Sequence, residues 1–223
     1  MVDLLFGVIV LLWLYYIGKA IVGAFFRLFT RWRVEGRENA PPRGAVLVVA
    51  NHLNFNDPPL LGVSLGRRVN FMAKEELFRF RPLAYFLGSL GAFPVHRGRL
   101  DRQAIRQSER VLAEGGVLVM FPEATRSRNS CLQPAFPGSA LIASRRAVPI
   151  LPVGIAGTER LKGLWILRRP RITVKIGPTF SLPKAGSKLT RDELAEHTEI
   201  IMRRIAALLP PEYRGVYGEG GKK

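Results

Sequence analysis

The stretch Ala45-Val-Leu-Val-Val-Ala50, followed at once by Asn51-His52-Leu53-Asn54-Phe55-Asn56-Asp57, decides the fold of this chain. Its first half is an unbroken apolar run rich in β-branched valine, which predicts a strand buried on both faces of a sheet. Such strands are typical of parallel sheets covered by helices on both sides. The polar residues begin where the strand ends, which is where ligands bind in sheets of this kind.

Outward from this stretch, strand-like and helix-like segments alternate along the chain. The other predicted strands are a short one from Arg33, then Val69–Ala73, Val117–Phe121, Ile150–Ile155 and Arg171–Ile176. The predicted helices are Pro58–Leu65 with Asp57 as N-cap, a partly helical Glu75–Leu90, Leu100–Glu114, Ser139–Arg146 and Arg191–Leu209. The alternation predicts an α/β class fold, a single layered domain with a mostly parallel central sheet flanked by helices. We expect this domain to span residues 33–210, after an N-terminal segment at 1–32 and before a flexible tail at 211–223.

The composition narrows the function classes. The 223 residues include 34 Lys and Arg against 17 Asp and Glu, a net charge of +17, so partners should be polyanions: nucleic acid, an anionic membrane or phosphorylated substrates. The lone Cys131 excludes an intramolecular disulfide scaffold and a cysteine-cluster metal site. No nucleic-acid-binding motif is present, and an apolar N-terminus is unusual in that class, so we expect no nucleic acid partner.

The N-terminus predicts a membrane-associating helix or helix pair. Leu4 to Ile17 carries no charge, and after Lys19 the apolar character continues to Phe26. Asp3 stands where a cleaved signal peptide would need a basic residue. The segment either spans the membrane or lies in one leaflet, and the arginines that follow predict a membrane protein with its catalytic domain on the cytoplasmic face.

A histidine and a carboxylate follow the first buried strand. A neutral imidazole such as that of His52 takes a proton from a hydroxyl near pH 7, and a carboxylate such as Asp57 orients it and stabilises the imidazolium. Taken alone, this spacing is a weak pattern, and it favours the interpretation that His52 is a capping or packing histidine and Asp57 a helix N-cap. No Gly-x-Ser-x-Gly nucleophile is present, so the histidine would activate the hydroxyl of the substrate.

Two further polar clusters carry arginines. Arg97 lies in Gly91–Gly98 and Arg126 follows the strand that ends at Phe121. Guanidinium groups bind phosphate in a bidentate manner, which makes both candidates for a phosphate clamp. The alternative is that they are solvated surface arginines.

Taken together, four blocks resemble the glycerolipid acyltransferase family, the enzymes that acylate lysophosphatidic acid to phosphatidic acid in phospholipid biosynthesis. They are Asn51-His52 with Asp57, Gly91 to Arg97, Phe121 to Ser127, and Val148 to Val153. In the third block, Ala124 stands where the family has glycine. Order and spacing agree from about Arg33 to Thr179.

The resemblance implies that His52 is the general base and Asp57 its orienting carboxylate. Arg97 and Arg126 would contact the phosphate of the acceptor, and Glu123 and Thr125 would shape the same site. The acyl donor would be acyl-CoA or acyl carrier protein, with no cofactor or metal. Alternatives are another acceptor (glycerol-3-phosphate, another lysophospholipid, an alcohol or an amine) or a non-catalytic membrane scaffold.

Overall fold

A computed structural model describes residues 2–96, 101–183 and 189–218 of the protein. It contains seven strands in this part of the chain: β1 Arg31–Glu35, β2 Val46–Ala50, β3 Val69–Lys74, β4 Ala92–Val95, β5 Val117–Met120, β6 Ile150–Ala156 and β7 Arg171–Ile176. The α-helices of the same part are α1 Val2–Phe29, α2 Asp57–Ser64, α3 Arg81–Ser89, α4 Arg102–Ala113, α5 Gly138–Arg146, α6 Trp165–Arg168 and α7 Arg191–Ala206.

The strands form one sheet in the order β1-β7-β6-β2-β5-β3-β4. Every neighbouring pair is parallel except β6 with β7. The predicted α/β domain with a mostly parallel sheet is therefore confirmed. Its centre is β2, which pairs with β5 on one side and with β6 on the other.

The side chains of β2 alternate between two hydrophobic layers. Val46, Val48 and Ala50 pack into the layer that also contains Phe26 of α1 and Leu60 of α2. On the other face of the sheet, a second layer joins β2 to the helices α4, α5 and α7, through Leu47, Val49, Val111, Leu112, Ala140, Ile142, Ile201 and Ile205. All five residues of β2 are buried, which explains why the run contains no polar residue.

The sequence did not predict β4 or α6. In β4 the proline, Pro94, cannot donate a backbone hydrogen bond, so its presence argues against a central strand. The sheet tolerates it because, in the part of the chain that the structure describes, β4 is an edge strand paired with β3 alone. The helix α6 is four residues long, too short for a periodic pattern.

The N-terminal segment is one continuous helix, α1, of 28 residues. Its second half packs on the domain: Tyr15 and Phe26 are buried, and Lys19 Nζ donates to the carbonyl oxygens of Leu65 (2.7 Å) and Arg67 (3.2 Å). Within the described residues, no helix was found to have both the length and the apolar character required to cross a membrane.

The beginning of the expected tail is hydrogen-bonded to the domain. Pro211–Tyr213 and Gly215–Tyr217 form 3-10 turns, and the buried Tyr213 donates its hydroxyl to Glu159 Oε1 at 2.8 Å. The hydrogen bond and the burial of this ring attach Tyr213 to the domain, and the flexibility expected for residues 211–223 stays a prediction. Residues 219–223 of that prediction lie outside the described residues.

Candidate active site

The centre of the site is the His52–Asp57 pair at the end of β2. His52 Nδ1 lies 2.8 Å from Asp57 Oδ2, and the two side chains are 8% and 0% exposed. The backbone N–H groups of Leu53 and Asn54 donate to the same Oδ2 at 2.7 Å each. This carboxylate is therefore held by backbone and imidazole together. With Nδ1 engaged, Nε2 is the ring nitrogen left to accept a proton.

The helix α2 begins one residue earlier than predicted, because Asp57 was expected to be its N-cap. Asn56 is the N-cap of α2 and Asp57 is its first helical residue. Asp57 Oδ2 is occupied by His52 and the preceding turn, so the carboxylate orients the ring and does not cap the helix.

The loop after β5 contacts His52 through both its ring and its backbone. The imidazole stacks on Phe121 with ring centroids 4.2 Å apart. The backbone N–H of His52 donates to Glu123 Oε1 (2.9 Å), and its carbonyl oxygen accepts from the N–H of Ser127 (2.8 Å). Because β2 and β5 are adjacent in the sheet, the two polar clusters that follow them meet, as their positions predicted.

Glu123 is a buried bridge between two loops. Its Oε1 accepts from His52 and its Oε2 from the N–H of Gln133 at 2.9 Å, while the residue is 1% exposed. Burial raises the pKa of Glu123 to about 7. The carboxyl contacts backbone on both sides, so it holds the loops that surround the histidine in place.

A largely apolar cavity of about 400 Å³ opens beside the histidine. Its lining side chains come from strand ends and from α4 and α5, and include Met72, Val95, Ile105, Met120, Phe136 and Ile142 together with His52 itself. A cavity of this size with mostly apolar walls is suited to an apolar ligand, and His52 is one of the residues that such a ligand would contact.

The remaining predicted residues lie elsewhere. Thr125 and Arg126 are exposed on the loop after β5 and do not line the cavity. Within the described residues Arg126 forms no hydrogen bond or ion pair, so its guanidinium is available to a ligand. Arg97 lies outside the described residues.

Asn51 has a positioning role that the sequence analysis did not assign. It is buried; its Nδ2 donates to Ile155 O at 2.8 Å, and its Oδ1 accepts from Ile155 N at 2.7 Å. These bonds tie the end of β2 to β6 immediately before His52. The only sequence signal was its place beside the histidine.

A second histidine lies on the cavity wall. The His96 ring is held between Glu75 and Asp101, with Nδ1 3.0 Å from Asp101 Oδ2 and Nε2 in contact with Glu75 Oε2. Backbone N–H groups, that of His96 foremost, hold the pKa of Asp101 well below its usual range. Asp101 also caps α4, so this cluster joins β4 to α4 across the segment that contains Arg97.

The described ranges contain no group of three His, Cys, Asp or Glu side chains arranged to hold a metal ion.

Comparisons with known proteins identify a family and several relatives of this chain. Residues 31–156 match the family model described as Acyltransferase. A 1-acyl-sn-glycerol-3-phosphate acyltransferase of Bacillus subtilis (strain 168) is 28% identical over 177 residues, which are 79% of this chain and 87% of that protein. One of Streptococcus pneumoniae is 34% identical over 133 residues, 59% of this chain and 48% of the relative.

A solved structure is similar over most of its length. The crystal structure of the 1-acyl-sn-glycerophosphate (LPA) acyltransferase PlsC from Thermotoga maritima superposes with a TM-score of 0.66 at 32% identity. The match covers 89% of this chain and 79% of that one.

Proposed function

This chain belongs to the acyltransferase family, as its four sequence blocks predicted, and we propose that it transfers a fatty acyl group from a thioester to the free hydroxyl of lysophosphatidic acid, forming phosphatidic acid. The observation that carries the proposal is the buried His52–Asp57 pair, whose imidazole lines an apolar cavity. The names of the relatives from B. subtilis and S. pneumoniae support the same acceptor.

The proposed mechanism needs no covalent enzyme intermediate. His52 Nε2 removes the proton from the acceptor hydroxyl as its oxygen attacks the thioester carbonyl carbon. The tetrahedral intermediate collapses, the C–S bond breaks, and the imidazolium returns its proton to the departing thiolate. Asp57 stabilises the imidazolium, and general base catalysis of this kind contributes roughly 10²–10⁴-fold in rate.

The cavity supports the assignment of the donor. Its walls are largely apolar and include His52, so an acyl chain that lies inside it can bring the thioester carbonyl to the imidazole. The donor is a thioester of coenzyme A or of acyl carrier protein, both of which are anionic and suited to a chain of net charge +17. The proposed reaction uses no metal or bound cofactor.

Arg126 is proposed to bind the phosphate of the acceptor. It is exposed, has no partner among the described residues, and precedes Ser127, whose N–H is bonded to the His52 carbonyl. A phosphate bound there lies beside the loop that clamps the histidine. By sequence, Arg97 is proposed as its companion, while Glu123 and Thr125 shape the loop that presents Arg126.

We further propose that the protein associates with a membrane through α1, with the domain on the cytoplasmic face. Apolar and aromatic side chains remain exposed on the helix, among them Trp13, Tyr16, Ile17, Ile21 and Leu28. Exposed aromatics of this kind favour the membrane interface. Since acceptor and product are amphiphiles, a site at the interface acts on them without extracting them into water.

The test is a thioester-consumption assay with purified protein against lysophosphatidic acid, glycerol-3-phosphate, other lysophospholipids and an unphosphorylated acceptor. We expect turnover with lysophosphatidic acid above the others and its loss in His52→Ala, with the fold retained by circular dichroism. Persistence of transfer in that variant contradicts the role of the base. Preference for another acceptor contradicts the assigned substrate.

The phosphate contact is tested separately. We expect Arg126→Ala to raise KM for lysophosphatidic acid by about tenfold or more, since a charge-assisted bidentate pair is lost, and to leave KM for the unphosphorylated acceptor nearly unchanged. Arg128→Ala, an exposed neighbour two residues along, is the matched control. Equal losses for both acceptors argue against a phosphate contact at Arg126.

A further inference from the structure

The connection between β6 and β7 exposes large apolar side chains that have no role in the proposed reaction. Leu164 is 76%, Ile166 42% and Leu167 79% exposed. Clustered leucines at this exposure are unusual on the surface of a soluble monomer and mark interaction surfaces.

The connection is anchored at its base. Leu161 is buried, and Trp165 packs against the core layer that includes β2. The 3-10 turn Thr158–Arg160 precedes it, and β7 follows. The packing of Leu161 and Trp165 therefore fixes the connection on the domain, while Leu164 and Leu167 remain exposed to solvent.

The same segment is strongly basic. Residues 160–169 contain Arg160, Lys162, Arg168 and Arg169 and no acidic residue. All four cations are exposed, so they flank the exposed leucines on both sides in sequence. We call residues 160–169 the α6 segment.

The α6 segment adjoins α1. Trp165 lies edge-on to Phe25 with ring centroids 5.7 Å apart, and Arg169 Nη2 donates to the carbonyl oxygen of Arg27 at 3.4 Å. Phe25 itself is 38% exposed, and the exposed Ile21 and Leu28 are near it on α1. The apolar surface of the α6 segment is therefore continuous with that of the helix.

We propose that the α6 segment is a second membrane contact, which docks beside α1 on an anionic bilayer. Leu164 and Leu167 enter the acyl region, while Lys162, Arg168 and Arg169 meet lipid phosphates; Arg160 is paired with Glu159 at 3.3 Å. The inference rests on the membrane association in the proposed function and adds a separate element to it.

The charge pattern favours a bilayer over other occupants. A second copy of this chain docked face to face would bring like charges together. Nucleic acid would use the cations but leave the leucines exposed. Apolar residues bordered by arginine and lysine match an anionic interface, which offers hydrocarbon and phosphate at adjacent depths.

The test measures partition of the full chain between buffer and vesicles, with and without anionic lipid (phosphatidylcholine alone, and phosphatidylcholine with phosphatidylglycerol). The variants are Leu164→Ser with Leu167→Ser, and Arg168→Gln with Arg169→Gln. Val216→Ser is the matched control, because Val216 is 42% exposed and neighbours Tyr217, which packs on the opposite layer.

We expect the leucine variant to lose about tenfold or more in partition to both vesicle types, since two large apolar side chains no longer enter the lipid. The arginine variant should lose most of the preference for anionic vesicles, and Val216→Ser should bind as the parent does. Unchanged binding in both test variants, or an equal loss in the control, overturns the proposal.

A second measurement does not depend on weakened binding. In Leu164→Trp, the added fluorescence should shift to shorter wavelength on anionic vesicles, whereas Val216→Trp should show no shift. Absence of a shift in Leu164→Trp overturns the proposal. Self-association of the chain that the leucine variant abolishes, without any effect on vesicle binding, also overturns it.

Turnover of a short-chain, water-soluble acceptor without vesicles separates this inference from the proposed function. If the vesicle results are as expected but no acceptor is acylated, the docking surface stands and the enzymatic assignment fails. If the soluble acceptor is acylated and the leucine variant binds vesicles as the parent does, the enzymatic assignment stands and the proposed membrane contact of the α6 segment fails.

Discussion

At the scale of single residues, Ala124 is in a backbone conformation that favours glycine. Its φ is +53°, in the left-handed region, at the position where the acyltransferase blocks carry glycine. For a residue with a Cβ, this conformation costs roughly 1–2 kcal/mol. The chain therefore retains the loop geometry around His52 at some cost in stability.

We expect Ala124→Gly to raise the free energy of unfolding by about 0.5–1 kcal/mol, because relief of the backbone conformation outweighs the greater flexibility of glycine in the unfolded chain. Chemical denaturation measures the change. Ala84→Gly within α3 is the control and should lower the free energy of unfolding by up to about 1 kcal/mol. Destabilisation in both variants would contradict the interpretation.

Glu123 predicts a pH dependence of stability. Burial raises its pKa from 4.5 to about 7, so the folded state holds the proton more tightly than the unfolded chain does. The contribution of Glu123 to stability is therefore fully present below pH 4.5 and is lost as pH rises through about 7.

We expect the free energy of unfolding of the parent, relative to Glu123→Gln, to fall by on the order of 3 kcal/mol between those pH values, at about 1.36 kcal/mol per pKa unit. Urea denaturation of both proteins from pH 4 to 8 measures the difference. Glu159→Gln, also at a loop contact, is the control and should show no such slope. Parallel curves for the parent and Glu123→Gln would contradict the assignment.

At the scale of elements, the close approach of β3 to the start of β4 depends on Gly91. Its φ is +84°, and a Cβ there would lie 2.4 Å from the carbonyl oxygen of Val69. The Gly91 carbonyl oxygen also accepts from the N–H of Phe71 at 3.1 Å. This glycine thus permits the pairing of β3 with β4, the strand that directly precedes His96.

We expect Gly91→Ala to lower the free energy of unfolding by about 3 kcal/mol or more, since the backbone contact adds to the cost of the left-handed φ. Gly44→Ala is a matched control: φ is +81°, but nothing lies within 4 Å of the added Cβ. It should cost about 1–2 kcal/mol. If denaturant titrations show equal losses of unfolding free energy in the two variants, the close backbone contact at Gly91 does not add to the cost of the substitution.

At the scale of the whole molecule, the net charge of +17 should attract anionic substrates and so raise the rate at which they reach the protein. We expect kcat/KM for lysophosphatidic acid to fall about tenfold or more between 0.05 and 0.5 M salt, because screening shortens the range of attraction. The assay is initial-rate kinetics at saturating donor. An uncharged acceptor is the control and should show a much weaker dependence; equal salt effects would exclude steering of the acceptor.

Much of the fold was predictable from local patterns. The apolar runs of β2, β5 and β6 stand out because both faces of each strand are buried, and the bounds of β7 were predicted without error. The edge strand β4 was not predicted from the sequence, because Pro94 is not expected in a paired strand. The contact of Tyr213 with Glu159 has no local signature, so the composition of residues 211–223 could not predict it.

The sequence by itself determined the α/β class, the acyltransferase resemblance and the histidine–carboxylate pair, because periodicity and a five-residue spacing are local properties. The three-dimensional contacts alone show that Glu123 bridges His52 and Gln133, that Asn51 is bonded to Ile155, and that Arg126 has no partner among the described residues. These contacts join residues far apart in the chain. They depend on the strand order β6-β2-β5, which long-range packing of the two hydrophobic layers selects and no local pattern encodes.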